Sequence, residues 1–146
     1  MRAVIRYERD VNKKRARFRA LFWDQGESDG DVMDWSQNYV TYSSGALGGN
    51  FTNLVAAMRT EAGNNSMPAV YAQKMSTQAD PYKSNVIAAQ SLFDTYDSNS
   101  YMLAMDSNTA RYPLQDQYHY SPTGVTNVAA DMISMIAASN LLANWQ

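Results

Sequence analysis

The sequence changes character at a single residue, Trp23. Before it, Arg17-Phe18-Arg19-Ala20-Leu21-Phe22-Trp23 is apolar and rich in aromatics; after it, Asp24-Gln25-Gly26-Glu27-Ser28-Asp29 is polar and contains a glycine. A short apolar run that stops at a polar turn is the pattern of a buried parallel strand delivering functional groups to the rim of an α/β sheet. Residues 17–23 are therefore predicted to form a buried strand. Pro68-Ala69-Val70-Tyr71-Ala72-Gln73 reads as a second, and Tyr101-Met102-Leu103-Ala104-Met105-Asp106 as a third that again ends at an acid.

Helical patterns separate these strands. Residues 84–96 place Val86, Ile87, Ala89, Gln90 and Phe93 at helical spacing. Pro122 to Asn144 reads as the strongest helix, with Ser121 as N-cap, Pro122 as first residue, and Val125, Val128, Met132, Met135, Ile136 and Leu142 as its core face. Residues 3–15 read as an amphipathic helix with Val4, Tyr7 and Val11 on one face. After the turn at Gly26, Ser28 or Asp29 is expected to cap a helix, with Asp31 and Asp34 near its positive end. Tyr39, Tyr42, Leu47 and Phe51 suggest helical segments broken at Ser43-Ser44-Gly45 and Gly48-Gly49-Asn50, resuming over Leu54–Met58 until Gly63. Strands alternating with helices argue for a parallel sheet covered on both faces.

At 146 residues the chain reads as a single domain, 1–146, able to bury about 70% of its unfolded surface. With 45% hydrophobic and 18% charged residues it is globular in composition. There is no cysteine, which excludes a disulfide frame and a thiolate metal site. Asp29-x-Asp31-x-x-Asp34 lacks the glycine and final glutamate of a calcium loop, so no metal is expected. No apolar run approaches membrane-span length and no signal-peptide core opens the chain. Charge is uneven: residues 1–19 hold eight bases against two acids, a net of +6, and the remainder carries −8. No stacking or groove-reading module follows this basic arm, so it reads as a solvated helix face and nucleic acid is not expected as a partner. Met33, Met58, Met67, Met75, Met102, Met105, Met132 and Met135 read as core filler.

His119 is the only histidine. Asp116, three residues upstream in a loop leading into a helix, can accept a hydrogen bond from one ring nitrogen, leaving the other free to deprotonate a serine. Gly26 permits close approach or simply the strand-to-helix turn; both readings stand. Glu27 reads as an acceptor bracing that turn, since paired-carboxylate chemistry needs a facing acid and Asp24, on an extended strand, should point elsewhere. Tyr118 and Tyr120 can stack on a sugar ring or pack against the last helix. Ser28 and Ser121 read as caps, and Ser43 and Ser44 lie in a loop without a nucleophile elbow.

Trp23-x-Gln25-Gly26-Glu27-Ser28-Asp29 resembles the W-x-Q-G-E-S-D block of the SGNH hydrolases, in the branch of sialate O-acetylesterases and carbohydrate acetylesterases. Asp116-x-x-His119-x-Ser121-x-x-Gly124 resembles the D-x-x-H-x-S-x-x-G block of the same family. The resemblance covers roughly residues 15–143. It implies a three-layer, flavodoxin-like parallel sheet and a cofactor-free hydrolase, often extracytoplasmic, that removes O-acetyl groups from carbohydrate by a Ser-His-Asp mechanism. His119 would be the base, Asp116 its orienter, and Gln25 and Gly26 donors to the oxyanion. The family's G-x-S-N block, source of the nucleophile, does not occur in these residues. The expectation is thus an N-terminally shortened SGNH domain whose serine comes from outside, or an inactive structural or glycan-binding subunit. The strand at 17–23 would then expose an unpaired edge, expected to be covered by a second copy, a partner chain or a rearranged N-terminal segment.

Overall fold

The computed structural model describes residues 7–8, 10–13 and 18–139. Along the chain run β1 (Leu21–Trp23), α1 (Glu27–Asp31), α2 (Met33–Gln37), β2 (Thr41–Ser43), β3 (Ala46–Gly48), α3 (Asn50–Ala62), β4 (Ala69–Ala72), α4 (Lys83–Tyr96), β5 (Ser100–Leu103), a 3-10 segment (Asp106–Arg111) and α5 (Pro122–Ala138). Strands β1, β4 and β5 form a parallel sheet in the order β1-β4-β5, with Leu21 opposite Ala69 and Ala69 opposite Ser100.

All four residues of β4 are buried, and the pleat divides them between two cores. Ala69 and Tyr71 join Leu21, Phe51, Val55, Val86 and Phe93 on one face. Val70 and Ala72 join Met105, Val128, Met132 and Ile136 on the other. Helices α3 and α4 thus cover one side of the sheet and α5 the other, giving the three-layer α/β arrangement that the alternating pattern predicts. Phe51 anchors the first core: its ring stacks on Tyr39 at 5.4 Å and meets Tyr71 and Phe93 edge-on at 5.2 and 4.9 Å. Such aromatic pairs add about 0.5–1.5 kcal/mol each beyond simple burial.

Several local expectations change. The strand predicted at 17–23 is regular only over Leu21–Trp23. Among the described residues no strand pairs with its outer side, where Phe22 is 50% exposed. Most of the helix expected at 3–15 lies outside the described residues. Its described part is helical at Tyr7, Glu8 and Asp10 and leaves the helix from Val11, with a φ of 56° at Lys13, while Tyr7 and Val11 are exposed. The helical segments expected around Tyr42 and Leu47 are instead a hairpin pairing Thr41 with Gly48 and Ser43 with Ala46. Its two-residue turn, Ser44-Gly45, has φ of 53° and 84°, the primed geometry that matches strand twist. Met33 is exposed rather than core, whereas Met67, Met75, Met105 and Met132 are buried.

Ser121 caps α5 as expected, its Oγ accepting from the Gly124 amide at 3.1 Å, with Pro122 as first helical residue. Neither Ser28 nor Asp29 caps α1: both lie within its first turn, Gly26 occupies the cap position, and Asp31 ends that helix. Asp34 sits instead in the first turn of α2.

Candidate active site

Parallel strands bring their C-terminal ends to one rim, where the turn after β1 meets the loop after β4 and the His119 loop. An antiparallel bridge between Leu114 and Tyr120, with the Gln115 amide donating to the His119 carbonyl at 2.9 Å, closes residues 115–119 into a tight loop. Asp116 organises its interior. Oδ1 accepts from the Tyr118 and His119 amides, each at 2.8 Å, while Oδ2 lies 2.9 Å from His119 Nδ1. A short carboxylate suits this role because it reaches amides two and three residues ahead.

These donors favour the charged carboxylate, so the His119 and Tyr118 amides and then the ring hold Asp116 down at about 2. In return the Asp116 hydrogen bond and charge raise the imidazole above its ordinary value, and the Glu27 carboxylate adds to the shift. With Nδ1 engaged, Nε2 of the neutral ring is the available acceptor. The pair stands open, its side chains 71% and 48% exposed.

Gln78, in the loop after β4, joins the two other loops. Its Nε2 donates to the Tyr118 carbonyl at 2.7 Å and approaches Glu27 Oε1 at 3.4 Å, while its Oε1 accepts from the Met75 amide at 3.1 Å. The Ala79 amide donates to the Gln117 carbonyl at 3.0 Å beside it. Below lies a buried ion pair, Lys74 Nζ to Asp80 Oδ2 at 2.6 Å. Among the described residues no donor is aligned to hydrogen-bond either Asp80 oxygen, so charge holds that pair.

In the turn after β1, the Gly26 amide donates to Glu27 Oε2 at 3.0 Å and Gln25 Nε2 donates to Asp29 Oδ2 at 3.0 Å. Glu27 therefore braces the turn. The two donors that the resemblance assigns to an oxyanion are both engaged within it. Gly26 has a φ of 157°, which residues with a side chain rarely adopt, and a Cβ there would lie 3.1 Å from Val86 Cγ1 of α4, so the turn and the close approach both call for glycine.

A cavity of about 360 Å³ is lined by Asp24, Glu27, Tyr118, His119, Tyr120 and Val125. Glu27 from one predicted motif and His119 from the other thus share one space. Gln25 lines a second cavity of about 140 Å³ with Trp23, Asp29, Tyr39, Asn50, Phe51 and Leu54. Asp24, expected to point elsewhere, lines the first cavity with Glu27: β1 ends at Trp23, so strand alternation no longer governs it. The protein crowding its carboxyl, and then the Glu27 charge, push Asp24 up to about 6. Val125, expected in the core face of α5, is 55% exposed and lines the cavity, while Gly124 takes the buried position. Tyr118 is exposed there. Tyr120 is half-buried, packs against the α5 core, and has its phenol pushed up by that burial and by Asp24 and Glu27.

Gln78 and Val125 escaped the sequence reading. Gln78 lies in a loop without periodicity, and Val125 differs from a core residue only by one helical step. Among the described residues no serine lines the His119 cavity. Among the described residues no three His, Cys, Asp or Glu side chains converge to hold a metal ion. A family model described as carbohydrate esterase, sialic acid-specific acetylesterase, matches residues 2–137. No curated protein and no solved structure matches the chain significantly.

Proposed function

The chain belongs to this carbohydrate esterase family of acetylesterases, and from that premise we propose that it supplies the base-bearing half of a Ser-His-Asp site removing O-acetyl groups from sugars. The observation that carries the reading is the His119 Nδ1 to Asp116 Oδ2 contact at 2.9 Å in a loop sharing a cavity with the Glu27 turn.

In this reading the serine comes from a polypeptide segment outside these residues or from a partner polypeptide, seated along the outer edge of β1. An open edge offers unpaired amides and carbonyls to such a segment. His119 Nε2 takes the serine proton as Oγ bonds to the acetyl carbon. The resulting oxyanion collapses, the sugar oxygen leaves with the proton from His119, and water repeats the cycle to release acetate and the serine. Gly26 and Gln25 donate to the oxyanion once substrate displaces Glu27 and Asp29 from their N–H groups; each such donor contributes on the order of 10²–10³ in rate.

That no serine among the described residues lines the His119 cavity favours a second reading, a catalytically silent structural or glycan-binding subunit that retains the half-site. Incubation with p-nitrophenyl acetate and an acetylated sugar, alone and with candidate partner polypeptides, separates the two. Acetate release that disappears in His119→Gln, with a serine labelled by an organophosphonate, supports the esterase. Silence under every combination leaves the subunit.

A further inference from the structure

Resting on the esterase reading of this cavity, we propose that the site takes neutral or amine-bearing sugar esters and rejects sugars that carry a carboxylate. The cavity lining is acidic. Asp24 and Glu27 both face the cavity, and Asp116 stands directly behind His119. Among the described lining residues the only group able to become cationic is His119, whose Nδ1 is already committed to Asp116. Lys74, whose charge reaches Asp24, is buried 2.6 Å from Asp80 and does not line the cavity.

An ester carbonyl placed over His119 Nε2 leaves the rest of the sugar among Asp24, Glu27, the Tyr118 and Tyr120 rings and Val125. A sugar carboxylate drawn into this space of about 360 Å³ enters the field of both protein carboxylates. Between like charges a few ångströms apart in a partly solvated cleft, repulsion weakens binding about fivefold to tenfold. The same field acts within the protein, where crowding and then Glu27 raise Asp24 to about 6. Hydroxyls and an ammonium, by contrast, find acceptors. A sialic acid carries a carboxylate, so the lining of this cavity points away from the sugar in the family's description.

His119, as the only histidine, gives a single imidazole signal by NMR. The chain is titrated at about pH 7.5 and low salt, with carboxylates charged, using methyl 6-O-acetyl-glucoside, 6-O-acetyl-glucosamine and 9-O-acetyl-N-acetylneuraminic acid. The neutral and amine esters are expected to shift the His119 signal with a Kd at least about fivefold below that of the acid. Asp24→Asn is expected to narrow the gap severalfold, as is raised salt. Equal or tighter binding of the carboxylate sugar, or a gap indifferent to Asp24→Asn, overturns the charge selection and leaves the esterase reading standing. If none of the three esters moves the His119 signal, the charge selection falls, and the esterase reading is decided by acetate release in the presence of partner polypeptides.

Discussion

Gln78 Nε2 donates to the Tyr118 carbonyl at 2.7 Å, tying the loop after β4 to the loop that carries His119. The same nitrogen reaches toward Glu27, so one buried amide spans both halves of the site. Gln78→Met keeps the volume but strips partners from the Tyr118 carbonyl and the Met75 amide, which costs about 1–3 kcal/mol of stability. Urea unfolding measures that loss. If the tie also positions the site, Glu27→Gln lowers the His119 pKa in the wild-type background and has a smaller effect in the Met background. Equal responses in the two would reduce Gln78 to packing.

The Asp116–His119 pair sets a pH dependence with a definite sign. Asp116 raises His119 above 6.5, so the protonated imidazole is stabilised in the fold and that contribution fades as pH rises through the raised value. The proposed base must be neutral, so acetate release by the complete site is expected to climb with pH through a midpoint above 6.5. Asp116→Asn moves the midpoint down, readable both in the rate and in the His119 NMR titration. Asp116 itself, lowered to about 2 from 3.8, stabilises the fold above its unfolded value and loses that contribution as pH falls toward about 2. An imidazole titration unchanged in Asp116→Asn would contradict the pairing.

Lys74 and Asp80 are 2% and 0% exposed, and their ion pair is buried within the loop after β4. Removing one partner strands the other charge without water. Lys74→Met is expected to cost about 3–5 kcal/mol, while Lys74→Met with Asp80→Leu recovers most of the loss because no charge remains buried. Thermal or urea unfolding of the two variants checks the order. A double variant no better than the single one would show that the pair is needed for more than mutual neutralisation.

The sheet and its flanking helices were legible because burial writes itself into periodicity. Ala69–Ala72 is apolar at every position because both of its faces are dry, and Val86, Ala89, Gln90 and Phe93 repeat at helical spacing toward one core. The hairpin was missed because Tyr39, Tyr42, Leu47 and Phe51 imitate a helical stripe, although Ser44-Gly45 between two short runs is a two-residue turn signal. At the site, His119 and Asp116 sit three residues apart, so local chemistry links them in any loop that closes. Asp24 and Gln78 owe their places to where a strand stops and where three loops meet, neither of which is a local pattern.

Gly124 tests whether the His119 loop is held by packing against α5. It lies in the first turn of that helix, and a Cβ there would overlap the Pro113 carbonyl oxygen and press on Tyr120 Cβ at 3.1 Å. Pro113 accepts from the Ser121 amide at 2.9 Å, and Tyr120 closes the bridge to Leu114, so both obstructed groups are the base of the loop. Helix propensity alone predicts that Gly124→Ala stabilises α5 by about 1 kcal/mol. Steric overlap with backbone, which has no rotamer to yield, opposes this with a cost of about 1–3 kcal/mol. The expected result is a lower urea midpoint together with a displaced His119 imidazole signal, because the loop must lift to admit the methyl group. An alanine variant that is more stable, with its imidazole signal in place, would mean that the Pro113 contact does not fix the loop and that Gln78 and Ala79 hold His119 without it.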